Sequence, residues 1–249
     1  MWRSSFAGLI FALFASDVAA YAGSGSPPKR RQFLKLSTEW HGNHYFLATS
    51  AIPLDRGHGW YKNTLVSFNS AAFGLTNNIA VSGGLDLLSM IISRGSGVWF
   101  TRLQFTGSAG NSFHGGVQVM YTSIPMPLPP ELKDVVEVKR GCGTALGMIT
   151  IGDRKNQLTL QGGILHNGDR AARGPLLGAA ALIRLSGNIS FITEHWMVTD
   201  PVQNYPIHSA GIRILGDLLA FDIGLVYERD QAALVTPIGM PFASATLNF

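Results

Sequence analysis

The sequence predicts an all-β protein: a closed, up-and-down antiparallel transmembrane β-barrel of about 12 strands (roughly 10–12). Three observations predict it. Charged residues make up only 14% of the chain, against roughly 25% in an ordinary soluble domain, so the surface is short of groups that face water. Beyond the amino terminus, no run reaches the ~18 apolar residues that a spanning helix requires. The rest divides into short β-type runs separated by Gly, Asn, Asp, Ser and Pro, and the connections between them alternate long and short. A length of 249 residues suits one such domain.

The chain opens on MWRSSFAGLIFALFASDVAA: Arg3, an apolar run from Phe6 to Ala15, then Val18, Ala19 and Ala20. That three-part pattern predicts an export signal over residues 1–20, cleaved after Ala20 or, as second choice, after Ala22. Residues 21–42 read as a flexible basic segment. They hold PPKRRQFLK, Pro27 to Lys35, and with it much of the net charge of +4. No aromatic interleaving or nucleic-acid motif accompanies the cluster, so a solvated tail is expected and no nucleic-acid partner. Residues 43–249 are expected to form the barrel. Cys142 is the single cysteine, which excludes an internal disulfide and leaves a packing role.

Strands are expected near 43–51, 61–74, 79–91, 98–106, 112–122, 142–151, 157–166, 174–185, 189–198, 207–215, 218–228 and 238–249. Tight turns come at Thr76–Asn78, Gly107–Asn111, Asp153–Asn156, Ser186–Asn188 and Gly216-Asp217. Longer segments lie between them: Ile52–Trp60, Ile92–Gly97, Ser123–Gly141, Asn167–Arg173, Thr199–Pro206 and Arg229–Pro237. Outer-membrane barrels have this asymmetry, with short periplasmic turns and longer outer loops.

Alternation within strands gives the faces. Leu219, Phe221, Ile223, Leu225 and Tyr227 share one side and are expected outward; Asp222 and Glu228 lie on the other. A two-residue turn at Gly216-Asp217 sets Leu215 against Leu218, Ile214 against Leu219 and Ile212 against Phe221. Arg213 then points inward, diagonal to Asp222. In Ser112–Thr122, Phe113, Val117, Val119 and Tyr121 oppose His114, Gln118 and Met120. Glu194 is taken as inward because Arg184, across the Ser186–Asn188 turn, also needs an inward face. The expected lumen charges are therefore Asp86, Arg102, Arg184, Glu194, Arg213 and Asp222. Mutual pairing would hold the barrel shut and implies a plug; unpaired arginines would favour anionic solutes. Pairing is the favoured reading.

The last strand carries Pro241, Ala243, Ala245, Leu247 and Phe249 on one face. It resembles the closing strand of bacterial outer-membrane barrels, in which a terminal aromatic after alternating apolar residues is read by the barrel-assembly machinery. Ala245, Leu247 and Phe249 match that pattern, Ala245 weakly. Four stretches extend the resemblance: ATSAIPLDRGHGWYKNTLVSFNSAAFGLTNNIAVSGGLDLLS, GTALGMITIGDRKNQLTLQGGIL, LIRLSGNISFITEHW and AGIRILGDLLAFDIGLVYERD. They are similar to a family of Bacteroidota outer-membrane barrels with no assigned function. The resemblance implies an exported barrel in contact with outer-membrane lipid and brings no catalytic residues.

Motifs for chemistry are sparse. No His is followed two residues later by Ser, the spacing that places both on one face in barrel lipases and deacylases. His208 and Ser209 are adjacent and so point to opposite faces of a strand. HGNH, His41 to His44, reads as a turn and not as a metal pair with His58, and the Gly-rich SGGLDLL lacks the Lys-Ser/Thr of a phosphate loop. No cofactor or metal is expected. Loop 123–141, with Leu132, Val135 and Val136 on one side of a possible short helix, is a candidate for surface recognition or for capping the barrel mouth. The expectation is a non-enzymatic outer-membrane barrel with a structural, surface-binding or narrow-pore role. The first alternative is an enzyme acting on envelope lipid; the second is a soluble periplasmic barrel that binds an apolar ligand, with alternation reversed.

Overall fold

The computed structural model describes residues 40–92, 97–123, 141–167, 170–199, 204–228 and 239–249. The expected signal, the basic cluster and most of loop 123–141 lie outside the described residues. The strands are β1 (Gly59–Thr64), β2 (Phe68–Gly74), β3 (Ile79–Asp86), β4 (Trp99–Ser108), β5 (Phe113–Ser123) and β6 (Cys142–Gly152). They continue as β7 (Asn156–Asn167), β8 (Arg170–Arg184), β9 (Ile189–Thr199), β10 (Asn204–Leu215), β11 (Leu219–Glu228) and β12 (Met240–Asn248). A short helix, α1 (Leu87–Ile92), follows β3. Each strand pairs antiparallel with its neighbours in sequence, and β12 pairs with β1, so the sheet is a closed twelve-stranded up-and-down barrel. Closure leaves no strand edge unpaired. Gly59 and Phe249 seal the seam by exchanging backbone hydrogen bonds, Gly59 N–H to Phe249 O at 2.8 Å and Phe249 N–H to Gly59 O at 3.0 Å.

The strand total matches the expectation, but its membership does not. Residues 43–51 are not a strand of the sheet; a 3-10 turn at Trp40–Asn43 leads into a narrow loop closed by one bridge, His44 opposite Thr49. The expected strand 61–74 is instead a hairpin, β1 and β2, turning at Leu65, Val66 and Ser67. Strand 79–91 ends at Asp86, whose Oδ1 accepts from Leu88 N–H at 3.1 Å and starts α1. The turn after β10 spans Gly216, Asp217 and Leu218, with Gly216 N–H to Leu219 O at 2.7 Å. This shifts the pairing by two positions: Leu215 faces Ala220, Ile214 faces Phe221, Ile212 faces Ile223, and Arg213 sits directly opposite Asp222. A shift of two keeps every side chain on its assigned face.

One rim carries the short turns 75–78, 109–112, 153–155, 185–188 and 216–218, together with both ends of the sheet. The connections at the other rim include 87–98, 124–141 and 229–239. Three at that rim, 65–67, 168–169 and 200–203, are short, against the longer segments expected at Asn167–Arg173 and Thr199–Pro206, so the length asymmetry is real but incomplete. The faces follow the expected alternation. Phe221 and Ile223 on β11 are 47% and 60% exposed, while Asp222 between them is 1% exposed. Val117, Val119 and Tyr121 on β5, Ile149 and Ile151 on β6, and Leu158 and Leu160 on β7 continue the exposed apolar surface.

Candidate functional site

The interior of the barrel is occupied by the chain itself. His41, Asn43, His44, Tyr45, Phe46, Ala48, Thr49, Ser50, Ala51 and Ile52 are all buried. The segment folds back on itself through Ser50 N–H to Asn43 O at 3.1 Å and Tyr45 N–H to Ala48 O at 2.9 Å. Both sides of an extended segment are hidden only when it runs through the middle of something. An inserted segment also has too few sheet partners for its backbone, and each buried peptide group left unsatisfied is costly. Polar side chains of the inner wall take the place of a neighbouring strand.

Arg213 donates from Nη1 to His41 O at 2.6 Å and to His44 O at 3.0 Å. Lys62 Nζ donates to Tyr45 O and Phe46 O, both at 3.1 Å. Gln161 Nε2 reaches Thr49 O at 3.1 Å, Gln104 Nε2 reaches Ser50 O at 2.8 Å, and Gln157 Nε2 bonds Gly42 O. Acceptors serve the amides: Glu194 Oε1 takes Leu47 N–H at 3.0 Å and Ala48 N–H at 3.3 Å, and Thr150 Oγ1 takes Ala51 N–H at 2.8 Å. Side chains add a further layer. Tyr45 shares a hydrogen bond with Thr159 at 2.7 Å, and Thr49 donates to Gln118 at 2.9 Å. Apolar contact is concentrated at Tyr45, Phe46 and Ala48 against Ala180, Leu182, Ile192 and Phe242. Gly211 makes room there, since a Cβ at that position would meet the Phe46 ring at 2.9 Å and the backbone of β11 more closely still.

Charge is matched where the plug enters this network. Arg213 forks onto Asp222, Nε to Oδ1 at 2.7 Å and Nη2 to Oδ2 at 3.0 Å. Asp222 Oδ2 also accepts from Ser244 Oγ at 3.1 Å and lies 3.5 Å from Lys62 Nζ. The plug histidines are neutral. Burial, reinforced by Arg213, holds His41 down at about 3; the same two causes hold His44 well below its usual value. As a neutral ring, His41 accepts at Nδ1 from the Asn248 amide at 2.6 Å. Burial raises Tyr45, opposed by its bond to Thr159, so it stays a phenol. Beside the plug a cavity of about 20 Å³, room for roughly one water, is lined by Asn43, Thr49, Trp60, Ser82 and Gln104.

Of the six charges expected in the lumen, the fold gathers Glu194, Arg213 and Asp222 around the plug. Arg102 lies on the inner wall away from the plug, near Met120 Sδ at 3.7 Å and over the face of Phe100, 5.4 Å from its centroid. Arg184 sits at the short-turn rim, donating to Gly187 O at 2.8 Å; it is opposite Ser190, with Glu194 four residues further along β9. Asp86 caps α1. Sequence reasoning missed Lys62, because the merged strand 61–74 hid the short hairpin that turns Trp60, Lys62 and Thr64 inward. It also missed what Gln104, Gln118, Gln157 and Gln161 do. Their signal was present: glutamines at inward positions of neighbouring strands, with no charge to pair.

Ala245, Leu247 and Phe249 occupy the outward parity of β12. Leu247 is opposite Tyr61 and Leu219, and Ala245 is opposite Asn63 and Phe221. Among the described residues no group of three or more His, Cys, Asp or Glu could hold a metal ion. Among the described residues the nearest approach to a nucleophile and base is Ser108 Oγ to His114 Nδ1 at 2.7 Å across β4 and β5. His114 Nε2 is buried without a hydrogen-bond partner, so no third member orients the ring. Neither a scan against protein-family models nor a search of curated proteins returned a match.

Proposed function

We propose that this chain is an exported bacterial outer-membrane barrel whose lumen is closed by its own segment 40–52, serving as a structural or surface-binding barrel and not as an open pore. The observation that carries the reading is the division of faces. An exterior of exposed Phe, Ile, Leu and Val surrounds an interior of Arg, Lys, Glu, Gln and Thr, the reverse of a soluble barrel that stores an apolar ligand. Such an exterior in water would be a very large apolar patch; against lipid tails it is the expected surface. The three-part amino terminus supports export, and the resemblance of the closing strand supports recognition by barrel-assembly machinery.

The lumen supports closure. Twelve strands lie between an eight-stranded barrel filled by side chains and wide porins with open water, and here the surplus volume is filled by a hydrogen-bonded segment. The test has three parts. The mature chain should require detergent or lipid to stay dispersed; a monodisperse detergent-free protein would overturn the membrane reading. In planar bilayers the full chain should be silent, and Arg213→Ala should give openings; steady conductance by the unaltered chain would overturn closure. Incubation with envelope lipids should leave their masses unchanged, since Ser108 and His114 lack a third partner.

A further inference from the structure

On the outer face, His195 of β9 and His208 of β10 stand directly opposite each other. Both are exposed, their rings 5.1 Å apart between centroids and 60° between planes. Nδ1 of one lies 2.9 Å from Nδ1 of the other. The outward neighbours are Thr193 and Met197 on β9, Ala179 on β8, Ala210 and Pro206 on β10, and Tyr227 on β11. No carboxylate or cation is among them, so neither imidazole is there to complete an ion pair.

The hydrogen bonds fix both tautomers. Thr193 has one hydroxyl proton, and Oγ1 donates it to Ser209 O at 3.0 Å. Toward His195 Nε2, 3.1 Å away, the same oxygen must therefore accept. The His195 proton is then on Nε2, and its Nδ1 presents a lone pair. His208 supplies the proton between the two Nδ1 atoms and keeps its own lone pair on Nε2.

We propose that this pair is a binding site for a divalent transition-metal ion of the Cu2+ or Ni2+ class, with water completing the coordination shell. A ligating imidazole commonly has its second nitrogen tied to an oxygen partner, which fixes ring and tautomer; Thr193 holds His195 in that way. The present spacing, that of a hydrogen bond, already matches a cis pair of ligands. With metal–nitrogen bonds of about 2.0–2.1 Å, two nitrogens 2.9 Å apart subtend roughly 90°, a cis pair on a tetragonal ion. A tetrahedral ion would need them about 3.3 Å apart. Binding turns both lone pairs onto the ion and moves the His208 proton from Nδ1 to Nε2 through solvent, so two neutral ligands bind with no net proton lost. His195 lies four positions from the end of β9 and His208 is in register with Tyr227, one residue from the end of β11, so the exposed pair sits toward the rim of the longer connections. The site does not depend on membrane location.

The full chain, purified in detergent without a histidine tag and titrated with Cu2+, provides the test. One ion should bind, with an electron paramagnetic resonance spectrum split by two nitrogens. His195→Gln and His208→Gln should each abolish that splitting while the β-sheet circular dichroism is retained. Thr193→Val, which keeps both imidazoles, should weaken binding about 10-fold. No bound Cu2+ in the unaltered chain, or a two-nitrogen signal that survives in either glutamine variant, would overturn the proposal. An unchanged affinity in Thr193→Val would remove the positioning role assigned to that residue.

Discussion

Arg213 and Asp222 face each other across β10 and β11 and meet in a two-pronged contact, 2.7 and 3.0 Å, with both side chains fully buried. The same guanidinium holds the plug by the carbonyls of His41 and His44. Two functions thus rest on one group: it neutralises the wall and it fastens the segment that fills it. Removing one partner of a buried pair leaves an uncompensated charge and costs about 3–5 kcal/mol. Arg213→Ala should lose that much in denaturant unfolding from detergent or lipid. Asp222→Asn should lose less, because Asn retains the shape and an acceptor while Arg213 keeps its carbonyl partners. Equal losses would mean that Arg213 acts on the wall alone.

Glu194 has a separate task, accepting the Leu47 and Ala48 amides at the tip of the plug. Hydrogen bonds to charged groups contribute about 1.5–3 kcal/mol. Glu194→Gln keeps one acceptor and should lower stability by roughly half that range. It should also leave the barrel closed more loosely, with brief conductance openings where the unaltered chain is silent. Openings absent from both Glu194→Gln and Glu194→Ala would show that the tip is held by its apolar contacts.

The hairpin between β1 and β2 turns through Leu65 and Val66 at φ of 50° and 67°. Positive φ at two successive positions is the I′ geometry, which prefers Asn-Gly; for a β-branched residue it is strained. Both side chains are exposed, Val66 at 86%, so replacing them removes little packing. Leu65→Asn with Val66→Gly should raise the unfolding midpoint, by about 1–2 kcal/mol per relieved position. A loss of stability would mean that the apolar tip is held by contacts worth more than the strain.

That turn also explains how far the sequence could be read. The exterior was legible because it obeys a period of two from Phe113 to Tyr121 and from Leu219 to Tyr227, and a two-residue register slip at Gly216 left those faces intact. The hairpin was not legible, since TLVSF offers only a lone Ser67 and none of the Gly, Asn, Asp or Pro that mark the other turns. The plug was misread for a deeper reason. HYFLATSAI has the composition of a β-type run, but such a run reports an extended backbone, not the partner it pairs with. Its true partners, Lys62, Gln104, Gln161, Glu194 and Arg213, are scattered over the chain and come together only on closure. Arg213 and Asp222 were legible as a pair because they belong to one hairpin.

Acid should release the plug. His41 is held at about 3 and His44 is lowered as well, against about 6.5 in an unfolded chain. Below pH 6.5 the unfolded state therefore binds protons that the folded state refuses. Their contribution is intact above that pH and is lost progressively as pH falls toward 3. The denaturant midpoint should fall between pH 7 and 4, and the double variant His41→Gln, His44→Gln should flatten the fall. A double variant that loses stability as steeply as the parent would place the acid response elsewhere.

The exterior supplies the sharpest test of solvent. Ile223 lies outward in the middle of β11, flanked by Ile212 on β10 and Ala243 on β12, and is 60% exposed. Tyr227, on the same face, lies one residue from the end of β11. In water the two sites would be alike: an arginine at either would be solvated, and each variant would stay within about 0.5 kcal/mol of the parent. In a bilayer they differ by depth. Arginine costs about 2–4 kcal/mol near the midplane and about 0–1 near the interface. Ile223→Arg should therefore fold poorly into lipid vesicles while Tyr227→Arg folds nearly normally, and both should behave alike in a detergent micelle that adapts to the charge. A pair of variants with equal stability in vesicles would remove lipid from the outer face, and with it the reading of this chain as a membrane barrel.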